Sequence, residues 1–330
     1  IVKLGFGALC VMLIVILASC TDMMAGLLQD ARSSFLENIM YRDMVEVPGG
    51  SFDQLRYEQT DTIVESYQHT LSDYMIGAYE VTYELWYVVR TWAEGNGYEF
   101  GNLGREGSQG TIGAEPDSNM YHPVTNISWR DAIVWLNAYS EMQGLDPVYC
   151  KDSGMTVPIK QSVAWSGDLF TEKGSQDNPY INLDSDGYRL PTEGEWQYAA
   201  TDRGENGADF AAGNYQFWVR DLSASDYDYA LFNYIETKKV GQLTSPNELE
   251  IFDMSGNVRE LCVDYFEPYP FEAQDDYIGQ GGIGMRVVRG GSWLDPDVQR
   301  YPIQSGFRQS FEQYLTEDTT GFRVARSMPR

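Results

Sequence analysis

Arg289-Gly290-Gly291-Ser292-Trp293 ends the short strand signal that runs from Arg286 to Arg289. Two adjacent glycines permit a sharp change of direction that other residues resist. From Leu294 to Thr320 the chain then shows neither a sustained helical period nor strand alternation. A further strand signal follows at Phe322 to Ala325. Long irregular stretches between short strands usually carry function, because backbone at the surface is free to vary.

Upstream of this stretch the regular elements are brief. Met44 to Val47, with Gly49-Gly50-Ser51-Phe52 after Pro48, reads as a strand and a turn, and Tyr74 to Ile76 as another strand. Further strand signals lie at Glu250-Ile251-Phe252 and Val258 to Val263. Leu85, Trp86, Val89 and Trp92 recur at helical spacing and predict an amphipathic helix over Glu80 to Ala93. Ser128 with Asp131 is a helix start. The apolar positions Ala132, Trp135, Leu136, Tyr139 and Met142 continue it to Gly144. Thr192-Glu193-Gly194-Glu195 is a capping box that opens a third helix, with Trp196, Ala199 and Ala200 on one face. Asp202 to Leu249 reads as loops.

Of the 330 residues, 23 are basic and 49 acidic, a net charge of −26. Such a chain lacks the lysine and arginine surplus that binding to nucleic-acid phosphates requires. Its 43% hydrophobic and 14% aromatic content excludes a disordered acidic tail. With only His69 and His122, zinc sites built on several histidines are all but excluded. The four cysteines, Cys10, Cys20, Cys150 and Cys262, do not form a disulfide scaffold, since two fall in the first twenty residues.

Lys3 precedes an apolar run from Leu4 to Ala18, about the length of a signal-peptide core and short for a membrane span. The run closes on Leu17-Ala18-Ser19-Cys20, which resembles a bacterial lipobox. Residues 1–19 are accordingly expected to be a lipoprotein signal peptide, with Cys20 lipidated and residues 20–43 forming a tether and first helix. The expected location is the bacterial envelope, at the outer membrane and cell surface, held by acyl chains.

Seven blocks then occur in a set order. They are Val47-Pro48-Gly49-Gly50-Ser51-Phe52, Glu80-Val81-Thr82, His122-Pro123-Val124 with Ser128-Trp129, and Tyr188-Arg189-Leu190-Pro191-Thr192-Glu193 with Glu195-Trp196. After them come Ser255-Gly256-Asn257-Val258 with Glu260, Arg289-Gly290-Gly291-Ser292-Trp293, and Gly321-Phe322-Arg323-Val324-Ala325-Arg326. Together they resemble the formylglycine-generating-enzyme (sulfatase-modifying factor) family over roughly Asp43 to Ser327. The resemblance implies an α+β, C-type-lectin-like fold, loop-rich and in a single domain, here residues 44–330.

Enzymes of that family hold copper with two cysteines, three and eight residues after the Gly-Gly-Ser serine. Those positions are Asp295 and Arg300 here, and no cysteine follows Cys262. Cu(I) is soft and prefers thiolate sulfur, which a carboxylate and a guanidinium do not replace. The chain is therefore expected to be no enzyme and to require no cofactor.

The segment at about 293–320 resembles that of the variable proteins of diversity-generating retroelements. There a fixed scaffold presents diversified side chains. The resemblance implies a ligand-binding face made of Trp293, Leu294, Asp295, Asp297, Tyr301, Ile303, Phe307, Phe311, Tyr314 and Asp318. Large aromatic side chains offer rigid contact area at low entropic cost, and the carboxylates suit a basic partner. The expected partner is an unknown protein or glycan ligand on host or neighbouring cells, with no nucleic acid. Taken singly, each aromatic is as well read as core. Rival readings are a structural lipoprotein of a motility or secretion complex, and an oxidase of the parent family.

Asp253-Met254-Ser255-Gly256-Asn257-Val258-Arg259-Glu260 matches a family calcium loop. The resemblance places Asp253, Gly256, Val258 and Glu260 as ligands of a structural calcium. The alternative is a tight turn, since Arg259 stands where the family prefers tryptophan. Cys262 reads as a buried thiol, with a Cys150–Cys262 disulfide as the alternative.

Overall fold

In the computed structural model the described residues are 44–57, 63–164, 169–204, 230–242, 246–279, 281, 284–296 and 301–328. From Val45 onward they belong to one compact unit. Residues 1–43, and with them Cys20 and the expected tether helix, lie outside the described residues, as do Asp297 and Arg300.

Helix α1 (Tyr83–Glu94) begins where Thr82 accepts a hydrogen bond from the amide of Leu85. Helix α2 (Trp129–Met142) starts with a full capping box between Ser128 and Asp131, and helix α3 (Glu193–Ala200) with one between Thr192 and Glu195. Each box satisfies amides that the first helical turn leaves without partners. Helix α1 starts three residues later than the apolar spacing predicts, because Val81 and Thr82 are taken up by main-chain bonds to Phe322 and by the cap. Trp86 of α1 stacks on Trp135 of α2, with ring centroids 5.7 Å apart and planes 7° from parallel. Both indoles are fully buried, as are those of Trp129 and Trp196.

The strands are short and form several small sheets. One has the order Met44–Val47, Tyr74–Gly77, Ala325–Ser327, Tyr188–Arg189. A second has the order Gln309–Glu312, Met285–Arg289, Arg259–Tyr265, Thr320–Gly321. A third joins Gln274–Asp275, Ile63–Leu71 and Gly50–Tyr57, with Phe52 opposite His69 and Gln54 opposite Tyr67. Among the described residues, mixed small sheets with three helices make this an α+β, C-type-lectin-like fold.

Two strand expectations need correction. Glu250-Ile251-Phe252 is not a strand. Asn247 winds this stretch into a turn by accepting from the amides of Leu249 and Ile251. Phe322 to Val324 is also not a strand. The Phe322 and Val324 carbonyls accept from Val81 and Gly77, while pairing in the sheets falls to the flanking residues. Ile63–Leu71 is a further strand, whose polar residues conceal its alternation in the sequence.

Arg286 lies buried between two rings, its guanidinium carbon 3.7 Å from the centroid of Trp129 and 3.6 Å from that of Tyr265. Desolvation pushes its pKa down to about 10. Asn137 in α2 is equally enclosed. Its amide nitrogen donates to the carbonyls of Tyr149 and Ile159, and its oxygen accepts from the amides of Val148 and Tyr149. One side chain thus replaces a strand partner for the loop beside the helix. Asn137→Ala leaves buried main-chain groups without partners, each worth roughly 1–3 kcal/mol. Urea unfolding is expected to show a loss of about 3 kcal/mol or more. A loss near that of an exposed-site substitution would contradict the assignment.

Candidate functional site

The Gly-Gly-Ser turn does what its glycines suggest. Gly290 and Gly291 have φ of 89° and 70°, and a Cβ on Gly291 would lie 2.8 Å from the carbonyl oxygen of Pro302. The late segment is then tied down at its base. Asp295 accepts from the amide of Ser292 at 2.7 Å and its hydroxyl at 2.9 Å. The other Asp295 oxygen accepts from Arg259 at 3.1 Å, and Arg259 also lies 3.6 Å from Glu317. One guanidinium therefore joins the beginning of the segment to its end. The Trp293 indole donates to the carbonyl of Asp318 at 3.0 Å.

Among the described residues, part of the expected face turns inward. Trp293, Asp295, Ile303 and Phe311 are buried. Phe307, Tyr314 and Asp318 are half-buried. Tyr301 opens a short 3-10 turn, Tyr301–Ile303. Ile303 packs with Ala230 and Phe232. Gln309–Glu312 is a strand, with Phe311 opposite Arg286. Its inward aromatic, Phe311, belongs to the core. Of the expected face, Leu294 stands out, 57% exposed.

A neighbour supplies what the sequence reading missed. The amides of Asn233 and Tyr234 donate to the carbonyls of Asp295 and Trp293, at 2.9 and 2.8 Å. This ladder brings a second large apolar side chain beside the segment, Ile235, 84% exposed. Ile235 lies in the stretch read only as loops, and nothing local in that stretch signals a contact sixty residues away.

The calcium loop is organised around an arginine. Glu260 accepts from Arg323 through both oxygens, each at 2.6 Å, and from the indole of Trp196 at 2.8 Å. The main-chain amide of Val258 and the side-chain amide of Asn257 donate to Glu80. Asp253 accepts from the amide of Gly241. Among the described residues no group of three or more His, Cys, Asp or Glu side chains is arranged to hold a metal ion. Of the expected calcium set, Glu260 is thus engaged by Arg323 and Trp196, while one carboxylate oxygen of Asp253 is buried with no hydrogen-bond partner. A divalent cation there would face a buried guanidinium. Burial raises Glu80 well above the usual carboxylate range, with Asp253 and Glu260 adding to the rise, and lifts Asp253 to about 6. Excess EDTA is expected to leave the melting temperature unchanged, whereas Glu260→Ala strands Arg323 and costs about 3–5 kcal/mol. A calcium-dependent rise in melting temperature would show that the ion displaces the arginine.

Cys150 and Cys262 are both buried and free, so no disulfide joins them. Burial raises both thiols above their usual range, which opposes thiolate formation. Copper does not fit here. The first family cysteine position, Asp295, has both oxygens occupied by hydrogen bonds.

Beneath the late segment lies a buried titratable cluster. Arg308 donates to Glu193 at 2.8 Å and rests on the rings of Phe266 and Tyr269. Asp264 accepts from the Glu193 amide at 2.6 Å. Desolvation pushes Asp264 up to about 8, and the Glu193 carboxylate adds to the shift. Nearby, His69 Nε2 accepts from the amide of Tyr277, so Nδ1 carries the hydrogen and donates to Gln54 at 2.7 Å. Burial pushes His69 down to about 4. Asp264 keeps its proton longer in the folded chain than in the unfolded one, so it lowers stability as pH rises from about 4 to about 8. His69 acts oppositely, since the unfolded chain takes up its proton near 6.5 and the folded chain only near 4. Above pH 6.5 the Asp264 effect stands without that compensation. At about 1.4 kcal/mol per pH unit, it amounts to about 2 kcal/mol by pH 8. Thermal melts are expected to fall between these values in the wild type and to fall less steeply in Asp264→Asn, where Glu80 still contributes. Equal slopes in the two proteins would refute the buried neutral acid.

The fold and the Gly-Gly-Ser turn with its anchored segment define the formylglycine-generating-enzyme type of C-type-lectin-like domain. The chain belongs to that family: residues 31–328 match the Sulfatase-modifying factor enzyme 1-like domain. It is 32% identical over 300 residues to the Chaperone protein LppX of Paenibacillus barcinonensis, covering 86% of this chain and 89% of that protein. To the formylglycine-generating enzyme of Streptomyces coelicolor it is 28% identical over 236 residues, covering 67% and 56%. Among solved structures, Treponema denticola variable protein 1 aligns with a TM-score of 0.64 at 26% identity, covering 86% of this chain and 95% of that one.

Proposed function

We propose that this chain is a non-catalytic binding protein of the bacterial envelope. Lipid on Cys20 anchors it at the outer membrane, and a retroelement-diversified late segment faces a protein or glycan ligand at the cell surface. The observation that carries this reading is the ladder between Asn233-Tyr234 and Trp293–Asp295. It sets exposed Leu294 and Ile235 on two bonded segments, beside Asp295, to which the family resemblance assigns a copper-ligand position. Arg259 braces the ends of the loop, so contact side chains can vary on a base that does not.

Two further facts favour binding over catalysis. Asp295 occupies the first copper-ligand position, and the described thiols are buried elsewhere. The likeness to a variable protein over most of both chains fits a scaffold used for display. A second reading draws on the relative named a chaperone. A chaperone would hold an unfolded client on the same apolar positions.

Leu294→Ala combined with Ile235→Ala is expected to weaken binding of the labelled protein to host or neighbouring cells by about tenfold or more. The melting temperature should stay near that of the wild type. Phe311→Ala, by contrast, is expected to cost about 3–5 kcal/mol of stability. Undiminished cell binding by the double variant would remove the proposed face. Slowed aggregation of a denatured protein, lost in the same variant, would favour the chaperone reading.

A further inference from the structure

Phe271 is the most exposed large apolar side chain among the described residues, 105% of its reference value, and it stands on a loop that is firmly held. Before it, the carbonyl of Glu267 accepts from Arg308 at 2.6 Å. The hydroxyl of Tyr269 donates to Glu193, and its amide donates to Glu65. Beyond it, Gln274–Asp275 forms an edge strand alongside His69 and Thr70. Asp276 then accepts from both the amide and the hydroxyl of Ser72, at 2.7 and 2.6 Å. Pro268 and Pro270 restrict the backbone between these clamps. The backbone that carries the ring has already lost much of the freedom that binding would otherwise remove. A single exposed phenylalanine on a loose loop would mean little.

The charge around it has one sign. Between Phe266 and Met285 the chain carries Glu267, Glu272, Asp275 and Asp276 and no basic residue. Asp276 ends the loop and also lines a cleft of about 770 Å³, together with Asp73 and Asp184. The arginine of that cleft, Arg189, is neutralised by Glu195 through two bonds of 2.6 and 2.7 Å. The finger and the cleft therefore share a boundary residue and an acidic character.

We propose that the loop Glu267–Asp276 and the adjoining cleft form a second binding surface, for a basic segment of a protein partner. Phe271 enters an apolar recess of the partner, and lysine or arginine side chains on either side meet the carboxylates of the loop and cleft. The surface shares no residue with the face of Leu294 and Ile235 and does not depend on that reading. A membrane is the poorer occupant, because anionic headgroups would be repelled by the four carboxylates of the loop.

The test is a fluorescence titration of the full chain with a labelled peptide of repeated Lys-Lys-Leu-Lys units. Phe271→Ala and Asp275→Asn are compared with the wild type, and a matched peptide carrying serine in place of leucine is run alongside. The net charge of −26 will attract any polycation, so the decisive reading is the difference between proteins. Phe271→Ala is expected to weaken the leucine peptide by about fivefold or more, leaving the serine peptide and the melting temperature unchanged. Asp275→Asn should weaken both peptides and reduce the salt dependence, while Leu294→Ala with Ile235→Ala changes neither. Equal affinity of Phe271→Ala and wild type for the leucine peptide would overturn the proposal. So would Phe271-dependent sedimentation with phosphatidylcholine vesicles, which would assign the finger to a membrane.

Discussion

Glu260 and Arg323 meet in a fully buried, two-bond ion pair on which the rest of the domain converges. Glu260 belongs to the strand Arg259–Tyr265, and Arg323 to the crossing just before the last strand. Trp196 of α3 donates to the same carboxylate, and Arg323 donates onward to the carbonyls of Gly77 and Phe252. Elements from the beginning, middle and end of the chain are thus held at one point. Taking both charges out of water is costly, and only a completely bonded pair offsets that cost. The arrangement specifies how the parts fit as much as how strongly they hold.

The same device recurs around it. Arg130 makes two 2.6 Å bonds to Asp177, and Arg289 reaches the carbonyls of Ser305 and Phe307. Loop-rich backbone has many carbonyls that no sheet satisfies. A guanidinium, with five donors in a planar fork, can serve several of them at once. Buried arginines therefore do for this fold what strand pairing does in a larger sheet. They leave the late segment resting on a stiff floor, with Arg259 and Trp293 tying its ends.

That floor explains how one scaffold accommodates different uses. The turn at Gly290-Gly291 and the ladder to Asn233-Tyr234 are made by main chain, so they do not require particular side chains at the exposed positions. Asp295 belongs to the same frame, since its two oxygens bond Ser292 and Arg259.

The helices were legible in the sequence because their signals are local. Thr82, Ser128 and Thr192 cap helices within three residues of themselves, and apolar spacing reports the buried face directly. The ordered blocks likewise announced the fold, since each marks a turn or strand whose chemistry is its own. The orientation of the late aromatics was not legible. Whether Phe311 faces core or water depends on its register against Met285–Arg289, and nothing between Leu294 and Thr320 encodes that partner. The role of Glu260 was equally hidden. The arginine that it meets, Arg323, lies sixty-three residues later in the chain. Local chemistry determined the elements and their ends. Which charge meets which, and which apolar side chain is left outside, was decided only when distant segments were brought together, because those energies belong to pairs and not to residues.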